Sequence, residues 1–360
     1  MALLNLLRRP ALNRNFRWSQ RLFFACFVLI GACTSSPKPI EVEPLPVYPP
    51  PPATARFVYE HTLYSANQVE TTTQQDRLKQ ILTGVKGPDS NFVKPLDIAA
   101  HKGRLYISDS LGGMVHVLDL PRRRYFILGY RFEGKLSKPT GINIDQQGRL
   151  YVADTSANRI VVYDSLGLFM HEIKGEQGIL ERPVAVAINP DGSKIYVVDN
   201  GGVDTNEHRI VVFDSQGQRL FEFAQRGHAD GELNLPSDIE IGSDGNVYVL
   251  DAGNFRVQIF SPDGKFLRYW GSVGRSFGQF ARPRHMSIDA EDNLYISDAF
   301  FGNFQIFNSQ GALLLSIGKN GEDKPGQYGL IAGISVDETG RIYTVDQIYK
   351  KIDVYRPASN

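Results

Sequence analysis

A tetrapeptide of the form Tyr-x-x-Asp occurs six times, ending at Asp109, Asp154, Asp199, Asp251, Asp298 and Asp346, at steps of 45, 45, 52, 47 and 48 residues. Each copy follows a turn such as DQQG, SDG or DETG, and before the turn an alternating segment such as GINID, DIEIG or GISVD. Nine residues after the aspartate stands Leu118, Tyr163, Phe260, Phe307 or Tyr355; only the third copy breaks step, with Phe213 at fourteen. A second turn (DSLG, DSQG, SPDG, NSQG) then leads into another alternating run such as FLRYWG or LLLSIG. Alternation with period two is the signature of half-buried strands, and the turns cut each unit into four of them. Four-stranded units of this length build the blades of a β-propeller. Six copies predict an all-β, six-bladed β-propeller.

The sixth copy supplies three strand runs, with only RPASN after Tyr355. A matching outer-strand pattern, RFVYEHTL (Arg56–Leu63), lies ahead of the first copy. The ring is therefore predicted to close by this N-terminal strand completing the C-terminal blade, which pairs two sheet edges that would otherwise stand open.

The units resemble NHL repeats, whose pattern runs from a proline through an apolar strand and a turn to Tyr-x-x-Asp, then an Asn-x-Arg segment and an aromatic-ended strand. The fourth copy, LPSDIEIGSDGNVYVLDAGNFRVQIFSPDGKFLRYWG, carries the resemblance best, and Gly271–Pro283 (GSVGRSFGQFARP) matches the glycine-spaced linker of such repeats. The second and third copies keep the arginine as Arg159 and Arg209. The first, fifth and sixth place Met114, Phe304 and Lys351 near that point. The resemblance covers residues 55–357 and implies the fold; function has to be read from a site.

The N-terminal region reads as an address. Arg8, Arg9, Arg14, Arg17 and Arg21 precede the apolar run Leu22–Ala32, and no acidic residue accompanies them. That run is too short to span a bilayer as a helix, which takes about 20 residues, and has the charged-then-apolar order of an export signal. Its ending LIGAC resembles a bacterial lipobox, so residues 1–32 are read as a lipoprotein signal peptide and Cys33 as the lipidated residue. Residues 33–54 contain eight prolines between Pro37 and Pro52. They are read as a stiff tether, extended at roughly 3.1 Å per residue. The propeller is assigned to 55–360, with an insertion over 64–92 that contains a short helix at DRLKQILTG (Asp76–Gly84).

These features predict an exported, outer-membrane lipoprotein facing the periplasm or the cell surface. Without the first 32 residues the chain holds 34 basic residues against 39 acidic, a net charge of −5. That balance offers no electrostatic footprint for nucleic acid. Both cysteines, Cys26 and Cys33, lie in the N-terminal region, so stability of the body rests on burial and strand pairing.

A residue that every blade repeats performs the same structural task in each. The six aspartates are accordingly assigned to bonding backbone, and function is sought where the repeats differ. Two residues past the blade-opening proline or its equivalent stand Asp97, Gly141, Ala185, Asp238, His285 and Gly333, the ring at the mouth of the central channel. An NHL-like peptide-amidating lyase places histidines at several such positions around a zinc, and a catalytic zinc needs three protein ligands. Here one blade of six supplies a histidine. A divalent cation held by Asp97, Asp238 and His285 remains the enzymatic alternative, a propeller hydrolase or lyase, although the first and fourth blades are opposite and meet only across a narrow channel. The favoured reading assigns no cofactor and a binding or scaffolding role toward an envelope or extracellular protein or a polysaccharide. Its candidate surface is Phe255, Phe277, Phe300, Phe301 and Tyr349 with Arg275 and Arg284, because aromatics beside arginines are what binding surfaces favour.

Overall fold

The structure is a computed structural model that describes residues 45–69, 82, 90–174, 179–201 and 205–358. The signal segment, Cys33, the first part of the proline-rich run and all of the expected helix Asp76–Gly84 but Leu82 lie outside the described residues.

Six antiparallel sheets form the body. Blade 1 is Pro95–His101, Arg104–Asp109, Met114–Asp119 and Arg124–Leu128. Blade 2 is Pro139–Ile144, Leu150–Asp154, Arg159–Tyr163 and Phe169–Ile173. Blade 3 is Pro183–Ile188, Lys194–Asn200, His208–Asp214 and Arg219–Phe223. Blade 4 is Asp238–Ile241, Val247–Asp251, Arg256–Phe260 and Phe266–Trp270. Blade 5 is Pro283–Ile288, Leu294–Asp298, Asn303–Phe307 and Leu313–Ile317. Blade 6 has Ile331–Val336, Ile342–Asp346 and Lys351–Pro357 from the C-terminal end and Phe57–Leu63 as its outer strand. The first strand of each blade packs against those of its two neighbours, which closes the ring.

Closure follows the predicted route. Phe57–Leu63 pairs antiparallel with the last strand, with Tyr59 opposite Tyr355 and Leu63 opposite Ile352. The sheet then extends one strand further than the sequence pattern indicates. Val47–Tyr48 pairs with Val58 and Phe57, and the Tyr48 ring meets Tyr355 edge-on at 5.8 Å. Val47 and Tyr48, inside the proline-rich stretch, thus belong to blade 6, ahead of the expected boundary at residue 55.

The core lies between blades. Second and third strands are rich in Val and Ile because a propeller sheet is covered on both faces, and Leu105, Ile107, Val117, Val161, Val197, Val249 and Ile296 are fully buried. Each such side chain stabilises the fold by about 1.5–3 kcal/mol relative to exposure. Turns between strands use short acids or amides. Asp145 accepts the backbone N–H of Gln147 at 3.0 Å, and Gly148 supplies the left-handed φ of +80° that the turn needs.

Candidate functional site

The repeated aspartates perform the structural task assigned to them. Each sits fully buried at the end of the second strand and accepts backbone N–H groups from the linker that opens its own blade. Asp109 takes Val93 and Lys94, Asp154 takes Ser137 and Lys138, and Asp298 takes Ala281 and Arg282. The linkers are thereby fixed onto one face, together with the loops between second and third strands.

The channel mouth opens on that face. Gly141 and Gly333 let neighbouring strands close in: a Cβ on Gly141 would stand 2.5 Å from the Val184 carbonyl oxygen, and one on Gly333 2.6 Å from Asp97 Cα. Across the narrowed ring the three polar candidates converge. His285 Nδ1 lies 3.3 Å from Asp97 Oδ1 and 3.4 Å from Asp238 Oδ2, and all three residues are buried. Neither contact has the alignment of a directed hydrogen bond, so charge attraction links them. Burial disfavours the imidazolium, but the charges of Asp97 and Asp238 outweigh it and the His285 pKa ends above its ordinary value. Burial likewise lifts Asp97 to about 6, against the pull of the His285 charge.

Both carboxylates also act as staples between blades. Asp97 accepts Ile98 N–H and, from blade 2, Ile142 N–H, each at 2.9 Å. Asp238 accepts Ile239 N–H at 2.9 Å and, from blade 5, Met286 N–H at 2.8 Å. Two of the roughly four acceptor positions on each carboxylate are thus taken by backbone donors. A divalent cation at this point would compete with the His285 imidazole for the same carboxylate oxygens.

Below the mouth is a lumen of about 140 Å³ lined by Asp97, Asn143, Asp238, Glu240, Ser287 and Ser335 among the inner-strand residues. Glu240 keeps some contact with the lumen but is ringed by protein. Burial raises its pKa well above 4.5, with the charges of Asp238 and Asp97 adding to the effect. The side chain of Asn143 is its polar neighbour, at 3.4 Å. Sequence reasoning missed Glu240, although it lies two residues after Asp238 on the same inward-facing side of the strand, a period-two signal.

The aromatic candidates divide. Phe277 is 75% exposed and Phe300 46%; Phe300 meets Phe301 edge-on at 5.3 Å, and the exposed guanidinium of Arg275 lies 5.6 Å from the Phe300 ring centre. Arg275, Phe277 and Phe301 line one hollow on blade 5. Phe255 is half-buried and packs into the cluster of Phe280 and Met286, while Arg284 is half-buried on an inner strand at the channel mouth. Tyr349 is half-buried on blade 6, its hydroxyl donating to the Gly321 carbonyl at 2.7 Å. A second exposed apolar group was not foreseen: Leu111 (71% exposed), Tyr130 and Phe132 (92%), in the loop and linker that flank a hollow also lined by Arg131 and Lys135. The linker GYRFEGKLS lacks the glycine spacing of the Gly271–Pro283 linker, so the repeat alignment passes over it.

The repeat alignment also places Phe304 near the position of the repeat arginine in blade 5. Strand pairing corrects this: Asp298 faces Asn303, as Asp154 faces Arg159 and Asp251 faces Arg256, and Phe304 is fully buried against Tyr355.

Comparison with known proteins agrees with this architecture. The NHL repeat model matches residues 136–163 and 233–260, the first three strands of blades 2 and 4. The chain is a six-bladed β-propeller carrying NHL repeats. It is 32% identical to the human E3 ubiquitin-protein ligase NHLRC1 over 87 residues, 24% of this chain and 21% of that protein. It is 34% identical to Protein brain tumor of Drosophila melanogaster over 71 residues, 19% of this chain and 6% of that protein. The matches thus span about a fifth or less of these relatives. Among solved structures, a protein of unknown function from Bacteroides thetaiotaomicron has a TM-score of 0.58 at 21% identity, covering 75% of this chain and 70% of its own. A gluconolactonase from Xanthomonas campestris gives 0.57 at 17%, covering 74% and 86%. Virginiamycin B lyase from Staphylococcus aureus gives 0.53 at 14%, covering 76% and 82%. At these identities the likeness is one of fold.

Proposed function

We propose that this chain is a membrane-tethered propeller that binds a protein partner through its linker face. The observation that carries the reading is the exposure of Phe277, Phe300, Phe132 and Leu111 on the linkers and loops of that face, with Arg275 and Arg131 among them. Large apolar side chains left in water beside guanidinium groups mark contact surfaces, and aromatic and arginine anchors carry most of the binding energy at such surfaces. The anchor belongs to the proposal: Cys33 would carry lipid, placing the propeller at the outer membrane, in the periplasm or at the cell surface. Support for it comes from the basic stretch, the apolar run and the small residues before Cys33.

A second reading, a propeller hydrolase or lyase with a divalent cation, is favoured by the convergence of His285 with Asp97 and Asp238. The use of both carboxylates as backbone acceptors favours a structural cluster instead. The experiment is capture by the full chain from solubilised membranes, with Phe277→Ala/Phe300→Ala in parallel and elemental analysis of the same preparations. Specific protein recovered by wild type and lost from the double variant supports the binding reading. Polysaccharide recovered in its place redirects the partner class. Capture unchanged in the double variant removes this surface. Stoichiometric metal that disappears in His285→Ala supports the enzymatic reading. Loss of membrane association and of the lipid mass in Cys33→Ala tests the anchor.

A further inference from the structure

In blades 2, 3 and 4 the residue facing the repeat aspartate is an arginine that plugs a socket beneath the linker. Arg159 contacts Asp154 at 3.1 Å and Glu172 at 2.5 Å, and donates to the Lys135 carbonyl. Arg209 contacts Asp199 at 3.3 Å and donates to the Ile179 carbonyl at 2.8 Å. Arg256 contacts Asp251 at 2.8 Å and donates to the carbonyls of Ala229 and Glu232 at 2.7 and 2.9 Å. Blade 6 places Lys351 there, donating to the Lys324 carbonyl at 3.1 Å. Blade 1 has Met114, but His116 Nε2 lies 3.4 Å from Asp109.

Blade 5 departs from all of these. Asn303 is the facing residue, and Ser316 stands opposite Gln305 on the outer strand, where blade 4 has Tyr269 opposite Gln258. The Asn303 amide donates to Ser316 Oγ at 2.9 Å, while its Oδ1 has no hydrogen-bond partner although the residue is only 3% exposed. Among the described residues no Lys, Arg or His comes within 4.0 Å of the buried Asp298 carboxylate. The surrounding frame is nevertheless intact. Gln305 accepts Gly278 N–H at 2.6 Å and donates to the Gln279 carbonyl at 3.0 Å, as Gln258 does with Gly231 and Glu232 at 3.0 and 2.6 Å. What the shorter side chains leave is a cavity of about 260 Å³, lined by Arg275, Ser276, Phe277, Phe301, Asn303 and Gln305.

We infer that this vacated socket binds an arginine side chain from a protein partner, an inference that rests on the partner-binding reading of the linker face and names the chemistry it recognises. The socket has the frame of an internal arginine site but holds Asn303 in place of an arginine. Asn303 Oδ1 is an unsatisfied buried acceptor, and such a group carries its desolvation penalty until a donor reaches it. The Ser276 carbonyl occupies the linker position of the Ala229 carbonyl that receives Arg256, and the Asp298 charge lies behind. Phe277 stands at the linker position of Asp230, which faces Arg256 at 3.9 Å in blade 4. An aromatic at that point offers a face for a planar guanidinium, whereas a compact, strongly hydrated ammonium gains less from the same walls. The chain's own Arg275 does not fill the socket: it is exposed at the rim, against the Phe300 ring, where water screens its charge.

The test is calorimetric titration of the full chain with N-acetyl-arginine amide and with N-acetyl-lysine amide. Saturable millimolar binding of the first, about fivefold or more tighter than the second, is expected. Asn303→Arg restores the internal plug and should abolish that binding while leaving the melting temperature unchanged or raised. Phe277→Ala, at an exposed position that the fold does not need, should weaken binding about threefold or more. The inference is overturned by absence of saturable binding up to about 50 mM, by equal affinity for the two amides, or by unchanged binding in Phe277→Ala or in a folded Asn303→Arg. A partner that still depends on Phe277 and Phe300 while the arginine amide fails would reject the socket and leave the binding face standing.

Discussion

His285 Nδ1 lies 3.3 Å from Asp97 Oδ1, joining the fifth blade to the first across the mouth of the channel, with Asp238 of the fourth blade 3.4 Å from the same nitrogen. One imidazolium thus stands between two buried carboxylates, each also bonded to the backbone of a neighbouring blade. Removing it in His285→Ala leaves two buried anions facing each other. Breaking a buried ion pair from one side costs about 3–5 kcal/mol, and a loss near the lower end is expected in urea unfolding, since Asp97 can take up a proton. A loss below about 1 kcal/mol would reject charge compensation as the function of His285.

Glu240 makes the same cluster pH-sensitive. Its folded pKa lies above the ordinary value because burial, then the charges of Asp238 and Asp97, penalise the anion. A raised folded pKa contributes stability in full below the unfolded value of about 4.5, and that contribution is lost as pH rises through the folded value. Asp97, lifted to about 6, acts in the same direction between 3.8 and 6, and the stabilisation from His285 is lost above its own raised pKa. Glu240→Gln mimics the protonated side chain. Its melting temperature should match wild type near pH 4 and exceed it by a margin that widens toward pH 8. A constant difference across that range would show that Glu240 does not titrate abnormally.

Gly333 allows the sixth inner strand to close in on the first while Asp97 and His285 meet. A Cβ there would stand 2.6 Å from Asp97 Cα and 2.9 Å from Ile98 N, backbone atoms that cannot swing aside. Gly333→Ala is therefore expected to cost about 3 kcal/mol, the upper part of the range for overpacked sites. Gly245→Ala is the control for a turn glycine, where a Cβ meets only an ordinary contact with Pro262 Cγ at 3.6 Å and the strain comes from φ +78°; it should cost about 1 kcal/mol. Denaturation midpoints of the two variants provide the comparison, and equal losses would contradict the close approach at Gly333.

The blades were legible because period-two alternation and turn chemistry recur at fixed spacing, and ring closure was legible because Arg56–Leu63 repeats an outer-strand pattern. Val47–Tyr48 was not legible, because a two-residue strand among prolines has no period to show. At the channel mouth, spacing alone brought Asp97, Asp238 and His285 to one ring, but not the backbone donors that already occupy the carboxylates, since any residue can supply a backbone N–H. Asn303 escaped because the loop DAFFGNF does not repeat the DAGNFR of the fourth copy, which leaves the position facing Asp298 ambiguous by one residue; only strand pairing fixes the register. The exposed Phe132 escaped because its linker does not follow the repeat.

Val47–Tyr48 provides the last prediction, since it separates closure of the ring from its reinforcement. Tyr48 accepts Arg56 N–H at 2.7 Å, Pro46 accepts Tyr59 N–H at 2.9 Å, and the Tyr48 ring rests edge-on against buried Tyr355. Two backbone bonds and one aromatic contact sum to about 1.5–4.5 kcal/mol. A chain beginning at residue 55 should therefore fold with a lower melting temperature than one beginning at residue 45. Starting after Leu63 instead removes Phe57, Tyr59 and Leu63 from the core and exposes the edge of Lys351–Pro357. That chain should lose cooperative unfolding in blade 6 and associate through the open edge, as sheet edges do. Melting curves and sedimentation of the three chains measure both effects. If the chain starting after Leu63 stays monomeric and melts in one transition, the N-terminal strand is not what closes the ring.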